Sequence, residues 1–378
     1  MLLSMHSLLN ILLIFLLRPA GFVAAQRVLA YEPGKCDVQI SEVVLGLAKA
    51  LFGRPVNVDQ ASLLQFDLYT PLNPQKRQIL RAEDIKRLKK SNFNGKWPVR
   101  VLIHGWTGGS TTCYNAAVKD AYLSRGNYNV IILDWSRQAV DINYHRVSTQ
   151  LESIAKSVAK LLRFLHDYSG VPYWNIYLVG HSAGSHIAGH TGKLLKPAQL
   201  GAIFALDPAG LTQLSLGPME RLAPTDATYV ESIHTDLAFL GNPYGSRLSH
   251  AAFYANWGRG QPHCPNATAT EFDIACDHFA AVYYFAESVR HPNIFGALRC
   301  NSQKDALSAT CTCKSHNRKV LQCPADTFMG GEPAVPKKGI YYLSTRLQPP
   351  FGTADGLVHM YPPIKTKIYE TRESHRNG

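Results

Sequence analysis

An α/β fold built on a mostly parallel sheet is the fold class predicted by this 378-residue sequence, and two observations carry it. Short apolar runs recur at 99–103 (VRVLI), 130–133 (VIIL), 175–179 (NIYLV) and 202–206 (AIFAL). Such runs suit strands buried on both faces, as parallel sheets require. Between the second and third runs, Ile154, Val158, Leu161, Leu162 and Leu165 form one helical stripe, which Gly170 and Pro172 end. Strand, helix, strand in that order implies right-handed crossovers.

Composition supports a packed domain. Apolar residues make up 46% of the chain and charged residues 17%, which excludes a disordered, solvating chain. Glycine and proline show no three-residue period, which excludes a collagen-like rod. The net charge is +12, and the segment 76–100 carries nine basic and two acidic residues. That segment reads as a solvated helix and loop, with attraction to anionic lipid or polyanions as the alternative. Without a matching fold signature it does not read as a nucleic-acid binder.

From the N-terminus, residues 1–25 read as a signal peptide. The apolar stretch 8–17 is too short to span a bilayer, and Val23-Ala24-Ala25 offers a signal-peptidase site. The mature protein is therefore expected to be secreted. Leu64, Phe66 and Leu68 alternate with Gln65, Asp67 and Tyr69, predicting a half-exposed edge strand. The main domain is expected over 26–353, followed by a polar tail over 354–378.

The eight cysteines suggest disulfides in an oxidising compartment. Cys36 and Cys113 have no other partner in the N-terminal half, and Cys264 and Cys276 bracket eleven residues. Cys300, Cys311, Cys313 and Cys323 form a cluster whose pairing the spacing leaves open. It lacks a CxxC pair and His316 is not at ligand spacing, so no zinc site is expected. The sequon at Asn266 marks an exposed, glycosylated loop.

Gly180-His181-Ser182-Ala183-Gly184 sits between a predicted strand and a helical pattern. That is the setting in which G-x-S-x-G mechanics place a serine hydroxyl at the carboxyl edge of a sheet. Asp207 ends the next apolar strand and can orient a base. Among the histidines, His186 and His190 point away from the elbow, and His234 reads as a satisfied core residue. His278 begins a helix-like segment, DHFAAVYYFAES, directly after Cys276; it follows Asp207 in chain order and sits on a loop expected to be fixed by a disulfide. It is the preferred general base. Strand VRVLI ends at His104-Gly105-Trp106, which brings that loop to the same edge as Ser182.

HGWTGG at 104–109, GHSAGSHIAGH at 180–190, ALDPAG at 205–210 and CDHFAAVYYFAES at 276–288 together resemble the secreted pancreatic-lipase family, including its insect phospholipase A1 and lipase members. QFDLYTPLNP, YYLST and the cysteine pattern extend the likeness over most of the chain. The resemblance implies an α/β-hydrolase fold and a triad of Ser182, Asp207 and His278. It also implies oxyanion-hole N–H groups from Trp106 and Ala183, and no cofactor. The same likeness pairs Cys300 with Cys311 and Cys313 with Cys323.

Two features depart from the family. His250-Ala251-Ala252-Phe253-Tyr254 stands where members often carry an aspartate. Pro218 and Ala223 occupy positions where the digestive lipases place calcium-binding carboxylates, leaving Asp226 alone, so no metal is expected. The C-terminal lipid-association sandwich of those enzymes is expected to be missing. In the resembling family the loop between Cys264 and Cys276 is the lid, and phospholipase A1 members have short ones. The activity implied is sn-1 phospholipid hydrolysis, against a triacylglycerol or galactolipid lipase, or a catalytically silent yolk-like lipid-binding protein.

Overall fold

The computed structural model describes residues 64–359 apart from 142, 214–215, 238–239, 259, 265–273, 309, 312 and 314–321. Strands β1 (Gln65–Tyr69), β2 (Gln78–Leu80), β3 (Val99–Ile103), β4 (Asn129–Asp134), β5 (Ile176–His181) and β6 (Ala202–Leu206) come first. They are followed by β7 (Tyr229–His234), β8 (Ala251–Ala255), β9 (Gly296–Cys300), β10 (Gln322–Pro324), β11 (Thr327–Phe328), β12 (Gly339–Leu343) and β13 (Leu357–His359). Among the described residues the main sheet has the order β11-β9-β12-β8-β7-β6-β5-β3-β4-β1-β2. From β4 to β12 every pairing is parallel. This is the α/β-hydrolase fold.

The principal helices are α1 (Ile85–Lys90), α2 (Cys113–Ser124), α3 (Tyr144–Ser169), α4 (Ala183–Leu195) and α5 (Ile274–Arg290). A parallel sheet needs cover on both faces, and alternate strand residues provide it. Val99, Val101 and Ile103 join the core beneath α3 and α4, whereas Leu102 joins the core beneath α2 and α5. Helix α3 starts where the Asn143 side chain accepts the Arg146 N–H, and it ends at Gly170 with φ 72°. Its buried stripe contains the predicted Ile154, Val158, Leu161, Leu162 and Leu165.

The chain passes from β3 to β4 on one side, then crosses to β5 on the other. Such a switch opens a crevice at the carboxyl ends of the strands. Among the described residues no helix is long and apolar enough to cross a membrane.

Four expectations need correction or refinement. Strand β1 is not an edge, because β2 and β4 flank it and Asp67 is fully buried with Gln65 and Arg77 as partners. The boundary at 353 falls too early, since β13 pairs with β10. Arg100, at the end of the basic segment, is not solvated. It lies buried in β3 with both arms on Glu332 and its guanidinium 3.7 Å from the Tyr177 ring centre. His278 stands within helix α5, whose start at Ile274 falls a turn earlier than the pattern marks, so the disulfide-fixed residue before it is already helical.

Disulfides join Cys264 to Cys276, Cys300 to Cys311 and Cys313 to Cys323. The expected Cys36–Cys113 bridge, the signal segment and Asn266 lie outside the described residues or involve one that does.

Candidate active site

The serine elbow is a consequence of close packing. Strand β5 runs directly into α4, and Ser182 makes the corner at φ 54°, ψ −122°. A non-glycine residue there is strained by about 1–3 kcal/mol, and such strain gathers at functional sites. The flanking glycines permit the approach. A methyl group on Gly184 would come within 2.2 Å of the Ile103 carbonyl oxygen, and one on Gly180 within 2.5 Å of the Gly184 oxygen. The Ser182 N–H donates to the Leu206 carbonyl at 2.9 Å, which locks the corner to β6.

Asp207 follows β6, fully buried. Its Oδ1 accepts the N–H groups of Thr235 and Asp236 at 2.8 and 3.1 Å, and its Oδ2 accepts Nδ1–H of His278 at 2.6 Å. Gly241 closes over the carboxylate, with room for no side chain. The Thr235, Asp236 and Gly241 contributions are made by backbone, so no side-chain pattern in the sequence signals them.

Helix α5 holds His278 rigidly. The neighbouring Asp277 side chain accepts the Gly260 and Gln261 N–H groups at 2.8 and 2.7 Å, and the Cys264–Cys276 bridge ties the helix start. The other weighed histidines serve the core. His186 Nε2–H donates to the Ala209 carbonyl while its Nδ1 accepts the Leu222 N–H. His234 bonds Ser232 and stacks on Tyr254.

The loop after β3 is equally fixed. His104 donates from Nδ1 to the Gly105 carbonyl, accepts the Trp135 N–H at Nε2, and stacks on the Trp135 ring. Burial holds its pKa down to about 4, so the ring is neutral. Trp106 anchors its indole on the Asp141 carbonyl at 2.7 Å. A methyl group on Gly105 would lie 2.8 Å from Cβ of Ser182, so this loop lies directly against the serine. Ala183 is the first residue of α4, where a backbone N–H has no acceptor within the helix and the helix dipole is positive. The edge therefore gathers a hydroxyl, an imidazole–carboxylate pair and backbone donors.

Residues 218–226 occupy the place of the calcium stretch of the digestive lipases. Asp226 Oδ2 accepts the Lys193 ammonium at 2.5 Å and the Ala223 N–H at 2.8 Å. The same ammonium donates to the Arg221 carbonyl at 2.7 Å. Lys193 already supplies a cation between these oxygens, and Pro218 and Ala223 add no side-chain oxygen. The residues do not fit calcium. A second cluster of His263, Cys264 and Cys276 is closed by the disulfide.

A family model described as Lipase matches residues 39–351. The chain is 34% identical to "Lipase member H" of Danio rerio over 65% of its own length and 53% of that protein. It is 32% identical to "Phospholipase A1 member A" of Bos taurus over 76% of this chain and 62% of that one. It is also 30% identical to "Inactive pancreatic lipase-related protein 1" of Homo sapiens, over 70% and 60%. The chain thus spans between just over half and just under two-thirds of the length of these relatives.

Proposed function

The chain belongs to the lipase family, and from that premise we propose that it is a secreted serine ester hydrolase whose preferred substrate is a phospholipid, cleaved at the sn-1 acyl ester. The observation that carries hydrolysis is the 2.6 Å His278–Asp207 bond beside a serine held at φ 54° on a strand-to-helix corner. Ser182 attacks the ester carbonyl while His278 takes its proton. Asp207 keeps Nδ1–H in place and stabilises the imidazolium. The N–H groups of Trp106 and Ala183 receive the developing oxyanion. Water then resolves the acyl-enzyme, with His278 working in reverse.

An inactive human relative at 30% identity means that membership alone does not supply activity. The intact serine, aspartate and histidine favour an enzyme over a silent lipid-binding protein. The three disulfides among the described residues favour an oxidising, extracellular setting.

Substrate choice rests on the loop between Cys264 and Cys276. It has eleven residues, includes the Asn266 sequon and is pinned at both ends. A long amphipathic cover opens to present a broad apolar surface for neutral oil, and so short a loop exposes little. A polar headgroup then has room at the mouth. Exposed Lys76, Arg81, Lys86, Lys89, Lys90 and Lys96 favour anionic lipid surfaces. Purified protein is expected to hydrolyse phosphatidylcholine faster than trioleoylglycerol in matched mixed micelles and to release the sn-1 chain first. Equal or faster triacylglycerol turnover removes the phospholipase reading and leaves a general lipase. Sn-2 release removes the regiochemistry.

A further inference from the structure

We propose that His181, the residue before the nucleophile, is a positioning residue that joins the elbow, the Gly105 loop and the His278 helix into one rigid unit. The inference rests on the assignment of Ser182, Asp207 and His278 argued above. His181 ends β5 and is 4% exposed. Its Nε2–H donates to the backbone carbonyl of His278 at 3.1 Å. Its ring packs on the His278 ring with centroids 4.6 Å apart, and on Phe279 at 4.9 Å. On another side, a methyl group on Gly105 would approach its Nδ1 to 3.2 Å and the Ser182 Cβ to 2.8 Å. One side chain therefore touches the base, is covalently adjacent to the nucleophile, and backs the oxyanion loop.

The imidazole suits this place for two reasons. It is a flat ring that fills the space between His278 and Gly105, and it carries a donor aimed at a carbonyl already within a helix. A carbonyl oxygen has two lone pairs, so the second bond adds to the helical one and fixes the backbone that carries the His278 ring. Burial and the nearby His278 hold His181 well below the ordinary histidine value. The ring thus stays neutral and opposes no charge that forms on its neighbour during acylation.

The test compares His181→Phe, which keeps the ring and loses the donor, with His181→Gln, whose amide can reach the same carbonyl. His181→Asn, polar but too short to reach it, accompanies them in case the phenylalanine variant does not fold. Active sites are counted with a fluorophosphonate, and kcat and KM are measured on phosphatidylcholine micelles. A small displacement of a reacting group can cost about 100-fold, so kcat per labelled site is expected to fall by about that factor in the Phe and Asn variants. KM should stay within about two-fold, and Gln should recover kcat to within about ten-fold of wild type. Wild-type kcat in Phe or Asn, or equal losses in Gln and Asn, would overturn the positioning role. Turnover retained by Ser182→Ala would instead remove the triad assignment, so the two failures are distinguishable.

Discussion

At its N-terminal end helix α4 begins on a strained serine, with the Ala183 N–H lacking an acceptor inside the helix. At its C-terminal end Lys193 is nearly buried and its ammonium is bonded to Asp226 Oδ2 and the Arg221 carbonyl. A cation in the last turn also complements the helix dipole, just as a developing anion would at the first. The same dipole is thus used in two ways. On the proposed mechanism one end leaves donors and strain available for a charge that appears only during reaction, and the other neutralises a permanent charge with a side chain of its own.

The strongest way to break this contrast is at Ser182. Ser182→Ala should lower ester hydrolysis by about four orders of magnitude or more, with an unchanged melting temperature. Ser182→Gly should be as inactive yet more stable by about 1 kcal/mol, because glycine accepts the positive φ without strain. Thermal melts and phosphatidylcholine turnover of both variants check this. A glycine variant less stable than the alanine one would show that the elbow stores no strain.

At the other end the sign reverses. Lys193→Met leaves Asp226 buried and unpaired, a change that typically costs about 3–5 kcal/mol. Turnover per remaining active site should stay near that of the wild type. Calcium chloride should leave the wild-type unfolding midpoint in urea unmoved, since an ammonium already stands between the oxygens. A calcium-induced rise in that midpoint would contradict the fit argued above.

Much of this site was legible in the sequence because its chemistry rides on regular elements. Continuous apolar runs gave the parallel strands, and a serine or aspartate at the end of such a run must stand at the sheet's carboxyl edge. What escaped notice depended on contacts between distant segments. Asp67 looked exposed by alternation, yet Gln65 and Arg77 allow its burial. The helix-like pattern read as beginning at His278 starts a turn earlier, at Ile274, in a stretch bridged from Cys276 to Cys264. Lys193 was unremarkable within SHIAGHTGKLL until the fold set it against Asp226. Arg100 likewise found Glu332 from far along the chain.

The gentlest probe of the contrast is His186, in the first turn of α4, whose ring links segments that lie near both ends. Its Nε2–H reaches Ala209, beyond the Asp207 turn, and its Nδ1 receives the Leu222 N–H, beside the Lys193 contacts. Burial holds its pKa down to about 4, against 6.5 for a free imidazole. Between those values the unfolded chain binds a proton that the folded chain refuses. Stability therefore rises with pH across this window and is lost as pH falls from 6.5 toward 4, by about 1.4 kcal/mol per pH unit for one such group. Buried His104, His234 and His263 sit at about 4 as well and add to the wild-type slope. His186→Gln can keep both hydrogen bonds, its amide N–H toward Ala209 and its oxygen toward Leu222, while removing the titration. Urea unfolding between pH 5 and 6 should then show a slope shallower by about 1.4 kcal/mol per pH unit than wild type. An unchanged slope would mean that His186 is already protonated in the folded chain, and that the first turn of α4 carries a charge beside the elbow.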